Sequence, residues 1–199
     1  MDISKKQLED WLAEMKAHKS PNWDKLPDLD LYMDQVILLM ERQLGLFMRD
    51  PADKLITPAM INNYVKLGML TPTTNKKYSR SHIAYLMTIC ILKQLLPISD
   101  ITDLLKSQTG KTEIDDLFNT FCEMQDQALH RVADGISLDI INMPESGPEM
   151  ADRLNRIALN LTVTANAHKL AAEKIIHLLK SENEGKEKTA KEKPAPKVV

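Results

Sequence analysis

The sequence predicts an all-α protein, and three observations predict it. Apolar residues recur at i, i+3, i+4 and i+7 over most of the 199 residues, the pattern of one buried helix face. No two alternating runs are joined by Asn-Gly or Asp-Gly, so no hairpin sheet is announced. Helix starts are marked by Ser, Thr, Asp or Pro ahead of the apolar runs. The first such run, Leu8, Trp11, Leu12 and Met15, follows Ser4 with Gln7 three residues on, a capping box that starts a helix over about Lys5–His18. Pro21 and Pro27 bracket an irregular link through Trp23. Asp28 or Asp30 then caps a second helix, rich in Val36, Leu39, Met40 and Leu46, that runs to about Arg49 and is closed by Asp50-Pro51. Further helices are expected over Ser79–Leu96, about Ile98–Lys106, Thr112 to about Ala133, and Pro148–Leu179. Ser181–Val199 alternates Glu and Lys with Ala and Pro, has almost nothing to bury, and is expected to be a disordered tail.

Composition narrows the function classes. With 43% hydrophobic and 27% charged residues the chain has the balance of an ordinary globular domain. No apolar run reaches the roughly 20 residues of a membrane span, and Met1–Lys6 lacks the apolar stretch of a secretory signal, so a cytoplasmic protein is expected. Two cysteines, Cys90 and Cys122, each inside an apolar helical pattern, give no disulfide framework. The chain shows no Gly-rich phosphate loop, no His-Glu-x-x-His and no Gly-x-Ser-x-Gly, and has only 6 Gly for tight catalytic turns. His82, His130, Cys90 and Cys122 are too scattered for a metal set. Neither an enzyme nor a cofactor or metal protein is expected.

The net charge of −2 hides a division along the chain. Residues 51–95 carry six Lys/Arg against one acid, whereas residues 1–50 and 96–180 are net −3 and −5. A basic segment inside an acidic protein is what contact with a polyanion requires.

That segment also holds the candidate site. In residues 57–69, Thr57 can cap a helix, Pro58 suits its first position, and Gly68 can end it in a left-handed conformation. Met60, Ile61, Tyr64, Val65 and Leu67 cover one face; Ala59, Asn62, Asn63 and Lys66 line the other. Asn pairs bidentately with adenine, Lys reaches guanine or a phosphate, and Ala leaves room for a thymine methyl. The amides beyond Thr57 favour a phosphate. Residues 70–80 form a turn-rich link with Lys76, Lys77 and Arg80 packed around Tyr78, which either packs inward or donates to a phosphate. Such a link can form a wing, with Asn75 as its turn former.

The run TPAMINNYVKLGMLTPTTNKKYSRSHIAYLMTICILKQLLPISDITDLL resembles the DNA-binding domain of MerR-type regulators, in which a recognition helix leads through a wing ending in Tyr-Ser to a helix and a short packing helix. From about Leu31 the chain is also similar to a family of uncharacterised bacterial proteins, a domain of unknown function, with this core. The resemblance implies a winged helix-turn-helix over residues 31–106, with Asn62, Asn63, Tyr64 and Lys66 on the groove-facing helix and Lys76, Lys77, Tyr78 and Arg80 in the wing. It implies a sequence-specific, double-stranded DNA-binding transcriptional regulator. The alternative is a helical interaction or ligand-sensing module that does not bind DNA.

Residues 1–30 then form an N-terminal helix and linker, and residues 107–180 a helical dimerisation or sensing region. In the latter, Ile114, Leu117, Phe118, Phe121, Met124, Ala128, Leu129 and Val132 repeat at helical spacing. Leu154, Ile157, Leu161, Thr164, His168, Ala171, Ile175 and Leu178 fit an a/d seam. These faces pack on each other or across a twofold axis, and a homodimer suits DNA with two half-sites. Eleven methionines, among them Met33, Met40, Met48, Met124 and Met150, fill a core or form an adaptable effector pocket for a small molecule. His168, on the seam, is expected to be a hydrogen-bonded core histidine rather than a pH or ligand sensor.

Overall fold

The computed structural model describes residues 4–48, 54–108 and 112–191. Within them the chain is mainly helical: α1 (Lys5–Ala17), α2 (Met33–Gln43), α3 (Pro58–Lys66), α4 (Arg80–Leu92), α5 (Ile98–Gln108), α6 (Ile114–Asp139) and α7 (Pro148–Lys191), with 3-10 turns at Trp23–Lys25 and Gly45–Phe47. Ser4 and Gln7 form the expected capping box on α1.

Helix α4 is the centre. Ile83, Ala84, Leu86, Met87, Thr88, Ile89 and Cys90 are all buried, as expected of a helix apolar on every side. Around it a larger core gathers Val36 and Met40 of α2, Ile61 and Tyr64 of α3, Ile101 of α5, and Phe118 and Cys122 of α6. A second, smaller core joins Leu12 of α1, Ala133 and Ile136 of α6, Ile140, Met143, and Met150 of α7. Helix α6 belongs to both. The N-terminal arm is held along α6 by polar contacts: Lys16 Nζ lies 2.8 Å from Asp134, the Ser20 hydroxyl donates to Asp126 at 2.7 Å, and the Trp23 N–H donates to Asn119 Oδ1 at 2.8 Å.

Several boundaries depart from expectation. Helix α2 starts at Met33 rather than near Asp28 or Asp30 because Leu31 stays extended to pair with Tyr78 (N···O 2.9 and 2.8 Å). Gln35 Oε1 then accepts from the Tyr32 N–H at 2.9 Å. It ends at Gln43, ahead of the Gly45–Phe47 turn, not near Arg49; the expected stop at Asp50-Pro51 lies outside the described residues. Helix α4 ends at Leu92, short of Leu96, and a turn leads to Pro97, whose ring disfavours helix in the residue before it. Helix α6 continues past Ala133 to Asp139 because Ile136 and Ile140 prolong its buried stripe. Helix α7 continues through Lys191, so the first part of the expected tail is helical; the sequence there places Glu184 and Glu187 four residues before Lys188 and Lys191, a helix-supporting spacing. Residues 192–199 lie outside the described residues.

Among the described residues the a/d seam is not closed. Met150 is 1% and Ile176 7% exposed, and Leu154 and Ile157 pack on the second core. Between these two points α7 stands away: residues 158–168 are all exposed, His168 included, so His168 is not a core histidine.

Candidate nucleic-acid interface

Helix α3 forms as its sequence dictates. Thr57 is extended (φ −131°, ψ 159°), and its Oγ1 accepts from the Met60 N–H at 3.3 Å. Pro58 takes the first position, and Gly68, at φ 69°, turns the chain so that the Met69 N–H reaches back to the Tyr64 carbonyl at 3.0 Å. Ile61 and Tyr64 are buried, whereas Ala59, Asn62, Asn63 and Lys66 are exposed. The polar face of α3 is therefore open, as the wheel predicts. Leu67 departs from it, being 45% exposed beyond the helix end. Burial pushes the Tyr64 hydroxyl up to about 12, with Cys90 adding to the shift, so Tyr64 stays neutral and belongs to the core.

The wing is a minimal hairpin. Thr74 and Lys77 pair, with the Lys77 N–H donating to the Thr74 carbonyl at 3.0 Å. Asn75 and Lys76 both take positive φ, 55° and 58°, which suits the type I′ turn that matches strand twist. Asn tolerates this conformation; Lys does so only at a cost of roughly 1 kcal/mol. Lys76 is nonetheless at the exposed tip.

The other wing residues do two jobs. Lys77 Nζ sits 5.3 Å from the ring centroid of Tyr32. Arg80 lies 5.6 Å from that of Trp23, and its Nε donates to the Pro27 carbonyl at 3.4 Å; both cations are half-buried. Among the described residues no ion pair involves Lys66, Lys76, Lys77 or Arg80. Tyr78 is only 4% exposed, so of the two roles open to it in the sequence it takes the inward one: it pins the hairpin to Leu31 and makes an edge contact with His82 (centroids 5.8 Å apart).

Sequence reasoning missed two residues that hold this face. His82 Nδ1 accepts from the Ser79 N–H at 3.1 Å, while Nε2 lies 3.1 Å from the Thr71 carbonyl and 3.0 Å from its hydroxyl. This pattern assigns the proton to Nε2, and the ring ties both ends of the link between α3 and α4. Lys93, counted in the basic segment, turns inward instead: its ammonium donates to the Leu55 carbonyl and approaches Met60 Sδ at 3.8 Å, fixing the approach to α3. Histidine at the third position after a Ser cap was the available signal for the first. Nothing local in the sequence distinguishes Lys93 from its exposed neighbours.

These features define a helical protein with a basic, amide-bearing surface built from one short helix and one hairpin turn. The chain belongs to the family of a domain of unknown function, DUF1836, whose model matches residues 21–124. That span starts ten residues before the one expected from the resemblance and ends within α6. It brackets the larger core, from Leu26 to Cys122, save for Ile176 of α7. No curated protein matches the chain, and no solved structure does. Among the described residues there is no group of three or more His, Cys, Asp or Glu that would hold a metal ion, and no helix long and apolar enough to cross a membrane.

Proposed function

We propose that this protein is a sequence-specific, double-stranded DNA-binding transcriptional regulator with a MerR-like winged helix-turn-helix formed by α2, α3, the 74–77 hairpin, α4 and α5. In this reading Asn62, Asn63 and Lys66 meet base edges, and Lys76, with Lys77 and Arg80, holds phosphates. The N-terminus of α3 at Thr57 adds backbone amides toward a phosphate.

The observation that carries the proposal is Lys76 at φ 58° on the wing tip. A glycine there would relieve the strain, and strained positions persist where the side chain has a use. That use is a charge held away from the protein, in the hairpin turn itself and ten residues beyond Lys66 on an exposed face of two amides and a lysine.

The test is selection from random duplexes followed by titration at rising salt. The parent protein is expected to enrich a motif and to lose affinity steeply with ionic strength through counterion release. Lys76→Ala should weaken binding to all duplexes alike and lower the salt slope by about 1, whereas Asn62→Ala should relax preference at one base pair at a cost of about 1–3 kcal/mol. Arg80 is a poorer probe because it also packs on Trp23. Enrichment of no motif together with salt-insensitive retention would overturn the proposal and favour the interaction-module alternative.

A further inference from the structure

Among the described residues, two apolar surfaces have no cover. The first is a cleft of about 490 Å³ between α4, α5 and α6, lined by Tyr85, Leu92, Leu104, Leu117, Phe121 and Met124 among others. Along α6 it continues as a stripe at helical spacing, Leu117, Phe121, Met124, Ala128 and Val132, of which Met124 is 63% and Val132 39% exposed. The second is the open seam of α7, where Leu161, Ile175 and Leu178 are 37%, 57% and 56% exposed. Soluble chains rarely leave contiguous apolar surface of this extent to water.

We infer that the occupant of the cleft is α7 of a second copy, and that the exchange is reciprocal. The lengths agree: the α6 stripe from Leu117 to Val132 spans about 23 Å and the α7 seam from Leu161 to Leu178 about 26 Å, at 1.5 Å per residue. The charges agree as well. Helix α6 carries six acids against Arg131, and with Asp126 and Asp134 engaged by Ser20 and Lys16 four remain; residues 150–180 of α7 carry five Lys/Arg against Asp152 and Glu173, and with Lys180 engaged by Asp103 four remain, so the two helices attract. The facing stripes contain no Asp, Glu, Lys or Arg, and docking buries no unpaired charge. Each copy supplies both surfaces, as a closed twofold assembly demands. Helix α7 is buried at Met150 and again at Ile176, and residues 158–168 between these two points are exposed on every side.

This pairing rests on the shape of the chain and not on DNA binding, so the two fail separately. Light scattering on the full chain is expected to give twice 22.6 kDa. Ile175→Glu and Met124→Glu, both at positions exposed within one copy, should each yield monomers with unchanged helical circular dichroism. To locate the contact, chains carrying Met124→Cys are mixed with chains carrying Leu161→Cys or Ile175→Cys and oxidised, Cys90 and Cys122 being buried. Cross-links between unlike chains are expected. A parent protein of single-chain mass, or a dimer that cross-links only α7 to α7, would overturn the inference. So would a monomer whose cleft takes up an apolar dye, assigning the cleft to a small molecule.

Discussion

Single residues set several measurable properties. Lys76 sits where a side chain is strained, so Lys76→Gly is expected to raise stability by about 1 kcal/mol while weakening duplex binding; thermal melts and titrations should move in opposite directions. Gly68 gives the converse. A Cβ there would meet nothing within 4 Å, so Gly68→Ala should cost about 1 kcal/mol from backbone conformation alone at φ 69°. Burial pushes the thiols of Cys90 and Cys122 up to about 11 and about 12, the second helped by Asp126. Both are expected to resist a thiol reagent at pH 8 and to react at once on unfolding. The Lys16 hydrogen bond and charge hold the Asp134 carboxyl below its ordinary 3.8. Because the folded value is the lower one, this pair stabilises above the unfolded value and the benefit is lost as pH falls through the folded one. The stability gap between the parent and Lys16→Met should therefore shrink below about pH 3.8 in denaturant titrations.

At the scale of elements, what was legible in the sequence was whatever local chemistry decides. The capping box at Ser4, the Thr57-Pro58 start and the Gly68 stop each act within four residues, and all three are where the sequence puts them. What was not legible was decided by distant partners. The start of α2 depends on Leu31 pairing with Tyr78, 47 residues away, and the length of α6 depends on α1 covering Ile136 and Ile140. The site divides in the same way. Periodicity alone exposes Asn62, Asn63 and Lys66, but only the tertiary fold shows that Tyr78 turns in, that Arg80 stacks on Trp23, and that His82 joins Ser79 to Thr71. His82→Phe keeps an aromatic ring but neither hydrogen bond. It is expected to cost about 1–3 kcal/mol of stability and to loosen the hairpin, read as faster amide exchange at residues 71–79 than in α2.

Across the whole molecule, the family match and the packing draw nearly the same line: residues 21–124 take in the larger core, and α1, the far half of α6 and the start of α7 build the smaller one. Leu12, 2% exposed, belongs only to the latter. Leu12→Ala should therefore cost about 2–5 kcal/mol and deprotect α1 and residues 129–140 before α3 or α4 in hydrogen exchange. The 26 residues of α6 make an unbroken rod of about 39 Å shared by both cores. Such a rod works as a lever: Ile136 and Phe118 lie about 27 Å apart along it, so a tilt of about 5° pivoted at the first would swing the second by about 2 Å, enough to re-aim the helices resting on it. Whatever seizes the far end of this molecule thus has mechanical purchase on the basic surface.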